Sequence, residues 1–283
     1  MTLPFFRADD DPGPSFLDVL RRAGGEPRWA DLPHDTRDLP REITHGTTVV
    51  AIRYADGVVM AGDRRATAGN LIAHRTMEKV FPADRHSGVA IAGAAGPATE
   101  MVKLFQLQLE HYEKVEGAEL SLEGKANQLG QMVRGHLPAA MQGFAVVPLF
   151  AGYDVRRGTG RLFEYDVTGG RYEESDFAAT GSGSLHAGTV IKIGYRPDLD
   201  RADAVELAIN SLFQAADEDS ATGGPDLVRG IYPVIATISA DGFQRLEDSE
   251  IAERFRALLD RLSAVEGTTA TAPSPTVPGG EGS

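Results

Sequence analysis

The run Thr47-Thr48-Val49-Val50-Ala51-Ile52 constrains this chain most. β-Branched residues dominate it, and such a run fits the pleated surface of a strand. Ala55-Asp56-Gly57 follows as a tight turn, and Val58-Val59-Met60-Ala61-Gly62 reads as the returning strand. A β-hairpin is therefore expected over residues 47–62, closing at Asp63-Arg64-Arg65. Gly46 stands directly before the Thr pair. In isolation, a Gly before a strand is a turn residue. The sharper reading is that the Gly46–Thr47 bond is cut, leaving Thr47 as a new N-terminus. A terminal Thr carries a hydroxyl and a free α-amine, so nucleophile and base sit on one residue.

The texture changes at this junction. Residues 1–46 are rich in proline, with breaks at Pro27, Pro33 and Pro40 and the pattern of a brief amphipathic helix only at 15–22. They read as a mostly irregular, removable leader. Beyond the hairpin, 87–93 is an apolar strand. Pro97 then suits the first turn of a helix carrying Met101, Val102, Phe105, Leu109 and Tyr112 at helical spacing. A second helix is expected over 122–140, interrupted at Gly130, then strands at 146–153 and 161–167. A strand at 177–180 leads through Gly181-Ser182-Gly183-Ser184 into a helix, followed by an amphipathic helix over 202–216. A strand at 230–239 and a helix at 251–262 complete the order, and 264–283 reads as a disordered tail after a domain spanning 47–263. Strands joined by hairpins, rather than alternating one-for-one with helices, favour an α+β sandwich with antiparallel sheets inside and helix pairs outside.

Composition narrows the function. The 283-residue chain has 42% hydrophobic residues, ordinary for a globular core. Its net charge of −13 argues against sequence-independent nucleic-acid binding and against anionic membrane surfaces. The absence of cysteine removes disulfides, thiolate metal sites and a cysteine nucleophile, and suits a reducing cytoplasm. No apolar run has membrane-spanning length and no secretory signal is evident. The seven histidines show no HxxxH or HExxH pairing, so no metal site is expected, and no cofactor is expected either.

Five further features follow Thr47: Gly62-Asp63-Arg64-Arg65-Ala66-Thr67, Lys79, Ala92-Gly93, Gly181-Ser182-Gly183-Ser184 and Asp219-Ser220-Ala221-Thr222-Gly223-Gly224. Singly, each has a plain structural explanation as a turn, a surface charge or a helix end. Together, in this order and at these separations, they make the region 44–262 resemble the β-type subunits of 20S proteasomes, most closely the actinobacterial type. That resemblance implies the four-layer αββα sandwich of N-terminal-nucleophile hydrolases. It also implies a threonine-type endopeptidase activated by autolysis at Gly46-Thr47.

The roles implied by the resemblance are as follows. Thr47 is the nucleophile, with Asp63 and Lys79 as a charged pair beneath it. Ser182, Asp219 and Thr222 form a hydrogen-bond network around the new amine. Gly93 supplies the oxyanion N–H. Thr67 aligns the substrate strand, and Ala66, Met77, Ile91, Ala95 and Ala98 line the pocket for the residue before the cut. All five are apolar, so an apolar preference is expected there. Implied partners are α-type and other β-type subunits, in two inner β rings of seven between two outer α rings. A ring ATPase unfoldase and protein substrates tagged by a small protein modifier are implied as well. Two alternatives stay open at this point: another N-terminal-nucleophile hydrolase, such as the simpler bacterial two-ring protease or an amidase, and an inert ring subunit. The Asp-Arg-Arg and Asp-Ser-Ala-Thr-Gly-Gly runs weigh against the first, and the Gly-Thr junction with Lys79 against the second.

Overall fold

A computed structural model describes residues 46–269. The expected leader, with its helix at 15–22, and the tail beyond residue 269 lie outside the described residues. The hairpin forms as expected: β1 (Thr48–Tyr54) pairs with β2 (Gly57–Gly62) from Tyr54↔Gly57 to Val49↔Gly62. β10 (Phe177–Gly181) lies along the other side of β1, and β11 (Val234–Ser239) along β2, with β12 (Gly242–Arg245) outside it. The second sheet runs β5 (Val80–Asp84), β6 (Ser87–Gly93), β7 (Val146–Asp154), β8 (Thr159–Tyr165), β9 (Arg171–Glu174) in spatial order. Every pairing in both sheets is antiparallel. A small ribbon, β3 (Ala66–Ala68) with β4 (Leu71–His74), stands apart.

The strands lack a polar face because both faces are covered. Val49 and Ala51 of β1 pack with Met60, Ala90, Leu149 and Leu162 in a core between the sheets. Val50 and Ile52 point the other way, onto α4 (Ser184–Gly194), α5 (Arg201–Glu218) and α6 (Asp248–Thr269), through Ile191, Val205, Ile209 and Phe255. On the outer face of the second sheet, α1 (Ala95–Glu116) and α2 (Leu122–Gly135) bring Phe105, Leu109, Leu129 and Val133 onto Phe150 and Phe163. The layers are helix, sheet, sheet, helix, as expected. Each fully buried Leu, Ile or Phe contributes about 1.5–3 kcal/mol from removal of apolar surface from water. No described helix is long and apolar enough to cross a membrane.

Several boundaries differ from expectation for identifiable reasons. Gly130 does not interrupt α2; it is buried, and a Cβ there would meet the Gly169 carbonyl and the Tyr165 ring at 3.4 Å. The break in 122–140 falls instead at His136, before the short α3 (Leu137–Ala140). Pro138 sits in the first turn of α3, where its missing N–H and its ring prevent continuation of the α2 ladder. The strand expected from residue 230 starts only at Val234, because Pro233 cannot donate to the sheet. The last helix starts earlier than expected, with Asp248 and Glu250 in its first turn. It also runs to Thr269, so residues 264–269 continue the helix rather than open the tail.

Candidate active site

Thr47 immediately precedes the first rung of β1, and the pairing of β1 with its two neighbours decides what surrounds it. Opposite Thr48 on β10 is Gly181, with φ +106°, where a Cβ would lie 1.9 Å from the Thr47 carbonyl oxygen. Only glycine permits that approach, and it lets Ser182 N–H donate to the Thr47 carbonyl at 2.8 Å. On the other side β2 ends at Gly62, so Asp63 lies beside Thr48: its N–H donates to the Thr48 carbonyl at 3.1 Å. The chain leaves through the β3–β4 ribbon and returns by Met77 N–H to Arg64 O at 3.1 Å, which brings Lys79 beneath Asp63.

Asp63 and Lys79 are 0% and 1% exposed, and their hydrogen bonds are complete. Asp63 Oδ1 accepts from Thr48 N–H at 2.8 Å and from Lys79 Nζ at 2.6 Å. Its Oδ2 accepts from Arg65 N–H at 2.9 Å and Gly223 N–H at 2.8 Å. The ammonium in turn donates to Asp63, to the Arg65 carbonyl at 2.5 Å and to the Gly46 carbonyl at 3.3 Å. All three of its protons are used. A buried ion pair is tolerable only when satisfied in this way. Burial pushes the Lys79 ammonium below the ordinary lysine value, against the pull of Asp63.

The Gly46 carbonyl is the meeting point. It accepts from Lys79 and from the Thr47 hydroxyl, whose Oγ1 is 2.8 Å away. Thr67 Oγ1 accepts from Gly46 N–H at 3.1 Å, so the side chain of Thr67 holds the residue before the junction. A Cβ on Gly46 would lie 2.0 Å from the Ala221 Cβ, so no larger residue fits there without displacement. A small cavity opens beside this carbonyl, lined by Gly46, Thr47, Lys79 and Gly93 together with Ala66, Met77, Ile91, Ala95 and Ala98. The five apolar positions thus meet in one place, next to the Thr47 hydroxyl. Gly93, at the last rung of β6, has φ +107°, and a Cβ there would lie 2.1 Å from the Ala145 carbonyl oxygen.

A second cluster flanks the Thr47 nitrogen. Thr47 N–H faces Ser182 Oγ at 3.4 Å, and Ser182 Oγ donates to Asp219 Oδ2 at 2.5 Å. Asp219 caps the C-terminal end of α5; its Oδ2 also accepts from the Thr222 hydroxyl at 2.6 Å and its Oδ1 from Ala221 N–H at 3.0 Å. Burial alone would raise Asp219, but the bonds from Ser182, Thr222 and Ala221 outweigh it and hold the carboxyl below its ordinary value.

Every residue singled out in the sequence therefore lies in one of these two adjoining clusters. The sequence reading quoted Thr48, Arg65, Gly183 and Gly223 within its motifs but gave them no role; they hold the others through backbone or hydroxyl contacts. The glycines in Gly-Ser-Gly-Ser and Thr-Gly-Gly were the available signal, since glycine marks close backbone approach. A larger cleft of about 640 Å³ near His86 and Tyr153 is lined by Lys125 and Arg161, both already paired. There Lys125 meets Asp84 and Glu119, and Arg161 meets Glu123, Asp154 and Glu173.

Comparison with known proteins identifies the family. Residues 43–228 match the family model described as Proteasome subunit. A protein named "Proteasome subunit beta" from Streptomyces griseus is 61% identical over 252 residues, covering 87% of this chain and 88% of that protein. One of the same name from Acidimicrobium ferrooxidans is 57% identical over 253 residues, covering 89% and 92%. Another from Acidothermus cellulolyticus is 59% identical over 216 residues, covering 75% and 74%. The chain belongs to the proteasome subunit family, as a β-type subunit.

Proposed function

We propose that this chain is a threonine-type endopeptidase subunit, made active when the Gly46–Thr47 bond is cut. The observation that carries this reading is the Thr47 hydroxyl 2.8 Å from the Gly46 carbonyl oxygen, with the buried Lys79–Asp63 pair directly beneath. Addition of Thr47 Oγ1 to the Gly46 carbonyl carbon closes a five-membered ring. Breaking the C–N bond then moves the acyl group to oxygen, and the nitrogen takes the hydroxyl proton. Water hydrolyses the ester, which frees the Gly46 carboxylate, the Thr47 hydroxyl and the Thr47 amine.

The mature reaction uses the same atoms. While Gly46 is attached, the Thr47 nitrogen is an amide and cannot act as a base. Once free, an α-amine has an ordinary pKa of about 7.7–8.0, and the nearby Lys79 cation lowers it further. The neutral amine takes the hydroxyl proton as Oγ1 attacks a peptide carbonyl. Gly93 N–H stabilises the oxyanion, and loss of such a donor typically costs roughly 3–4 kcal/mol. Ser182, Asp219 and Thr222 hold the amine, Thr67 aligns the substrate, and Ala66, Met77, Ile91, Ala95 and Ala98 accept an apolar side chain before the cut. No cofactor takes part.

The leader of residues 1–46 keeps the subunit inactive until assembly. The working particle is two β rings between two α rings in the cytoplasm, fed with unfolded or tagged proteins by a ring ATPase. Enclosure suits an unselective peptidase. Co-expression with an α-type subunit, then intact mass and N-terminal sequencing, tests the reading. A chain beginning at Thr47 is expected; an active particle whose chain still begins at Met1 or Thr2 would overturn it.

A further inference from the structure

One buried hydroxyl beside this site has no part in the chemistry above. Thr48 is wholly buried, and its Oγ1 lies 2.5 Å from Thr222 Oγ1. It also accepts from Gly183 N–H at 3.0 Å. We propose that Thr48 is a positioning residue for the peptidase reaction, fixing Thr222, and through it Asp219 and Ser182, around the nitrogen of Thr47. This rests on the reading of Thr47 as nucleophile and extends it.

Proton counting gives the contact a direction. A hydroxyl has one proton to donate, and a carboxylate has none. Thr222 gives its proton to Asp219 Oδ2 at 2.6 Å. The proton between the two threonines therefore comes from Thr48. The sequence Gly183 N–H, Thr48 O–H, Thr222 O–H, Asp219 carboxylate runs one way, and aligned bonds of this kind strengthen one another. From the other side Ser182 O–H ends on the same carboxylate oxygen at 2.5 Å, and Thr47 N–H faces Ser182 Oγ at 3.4 Å. The peptide bond from Thr47 to Thr48 closes the ring.

The packing preserves this arrangement. A Cβ on Gly183 would lie 2.4 Å from Thr48 Oγ1 and 2.7 Å from Thr222 Oγ1. An unbonded hydroxyl at a wholly buried position is costly, and valine fills the next two positions of β1. Valine would keep the shape but leave the Gly183 N–H and the Thr222 hydroxyl without this partner. The hydroxyl, rather than the side-chain shape, makes both contacts.

The test compares Thr48→Val, Thr48→Ala and Thr48→Ser in the complex assembled with an α-type subunit, using a fluorogenic peptide. Thr48→Val keeps the shape and removes the hydroxyl; Thr48→Ser keeps the hydroxyl. For Thr48→Val and Thr48→Ala, kcat is expected to fall about 10- to 100-fold with KM within about twofold. Thr48→Ser is expected to stay within about threefold of wild type. Adding Thr48→Val to Thr222→Val is expected to cost less than the two single losses combined, because both act through one chain. Wild-type kcat in Thr48→Val, or a Thr48→Ser as impaired as Thr48→Val, would overturn the inference. Should Thr48→Val not assemble, the Thr48→Ala and Thr48→Ser comparison decides by the same criteria. An uncut, inactive wild type would overturn the reading of Thr47 and this inference with it. An active wild type matched by an equally active Thr48→Val would overturn this inference alone.

Discussion

At Lys79 three acceptors converge on one ammonium: a carboxylate, the Arg65 carbonyl and the Gly46 carbonyl. That geometry ties the cation to the junction itself, and two substitutions separate its role from the one proposed for Thr47. Thr47→Ala is expected to leave the leader uncut, by intact mass, with peptide hydrolysis at background. A Thr47→Ala complex that still hydrolyses peptides would show the role to be misassigned. Lys79→Ala is expected to assemble, by size-exclusion chromatography, yet to lose turnover by at least about 100-fold. It leaves the buried Asp63 carboxylate without its cation, a loss of about 3–5 kcal/mol in a monomer, so a lower melting temperature should accompany the lost activity. Turnover within a few-fold of wild type would refute the role given to Lys79. Thr47, Asp63 and Lys79 were legible because their side-chain chemistry and spacing are unusual together. Thr48 and Gly223 were not, because a strand threonine and a loop glycine look alike whether or not they touch a site.

Among the elements, the turn between β8 and β9 shows how a single side chain can hold a connection. Asp166 Oδ1 accepts from the Thr168 hydroxyl at 2.6 Å, Thr168 N–H at 2.8 Å and Gly170 N–H at 3.0 Å, and its Oδ2 from the Tyr172 hydroxyl at 2.9 Å. Those bonds, the Thr168 hydroxyl foremost, hold its carboxyl at about 2, below the ordinary aspartate value. A carboxyl depressed in the folded state stabilises the fold above its unfolded pKa and ceases to as pH falls through the folded one. Asp166→Ala is therefore expected to lower the melting temperature of the subunit at neutral pH. The difference should shrink as pH is lowered from about 4 towards 2. An equal difference at all pH values would argue against the carboxylate as its source. The sequence announced strands whose alternation feeds two cores, such as β1, but not β4, which is exposed throughout its length, or β9, written Arg-Tyr-Glu-Glu. Edge and ribbon strands bury too little to leave a pattern. Pro138 and Pro233 fixed two boundaries that composition alone had placed elsewhere.

In the whole molecule, two sheets share one inner core and each has its own outer one, so damage to an outer core should stay on its own side. Phe150 lies between Phe105 and Phe163, with ring centroids 5.9 Å from each. Phe150→Ala is expected to cost about 3–5 kcal/mol, read as a lowered urea midpoint of the isolated subunit; a loss below about 1 kcal/mol would mean that this face is loosely packed. The sandwich was legible because the order of strand pairs and helix pairs admits few layer arrangements. The third helix layer element, the extension of α6 past residue 263, was hidden by the small and polar residues that follow it. The sandwich also bears on what scission would create. Ends of chains usually fray, yet the end made here would start the second strand of a five-stranded sheet, flanked by β10 on one side and β2 on the other. The nitrogen of such a terminus would already lie between two paired strands, 3.4 Å from Ser182 Oγ.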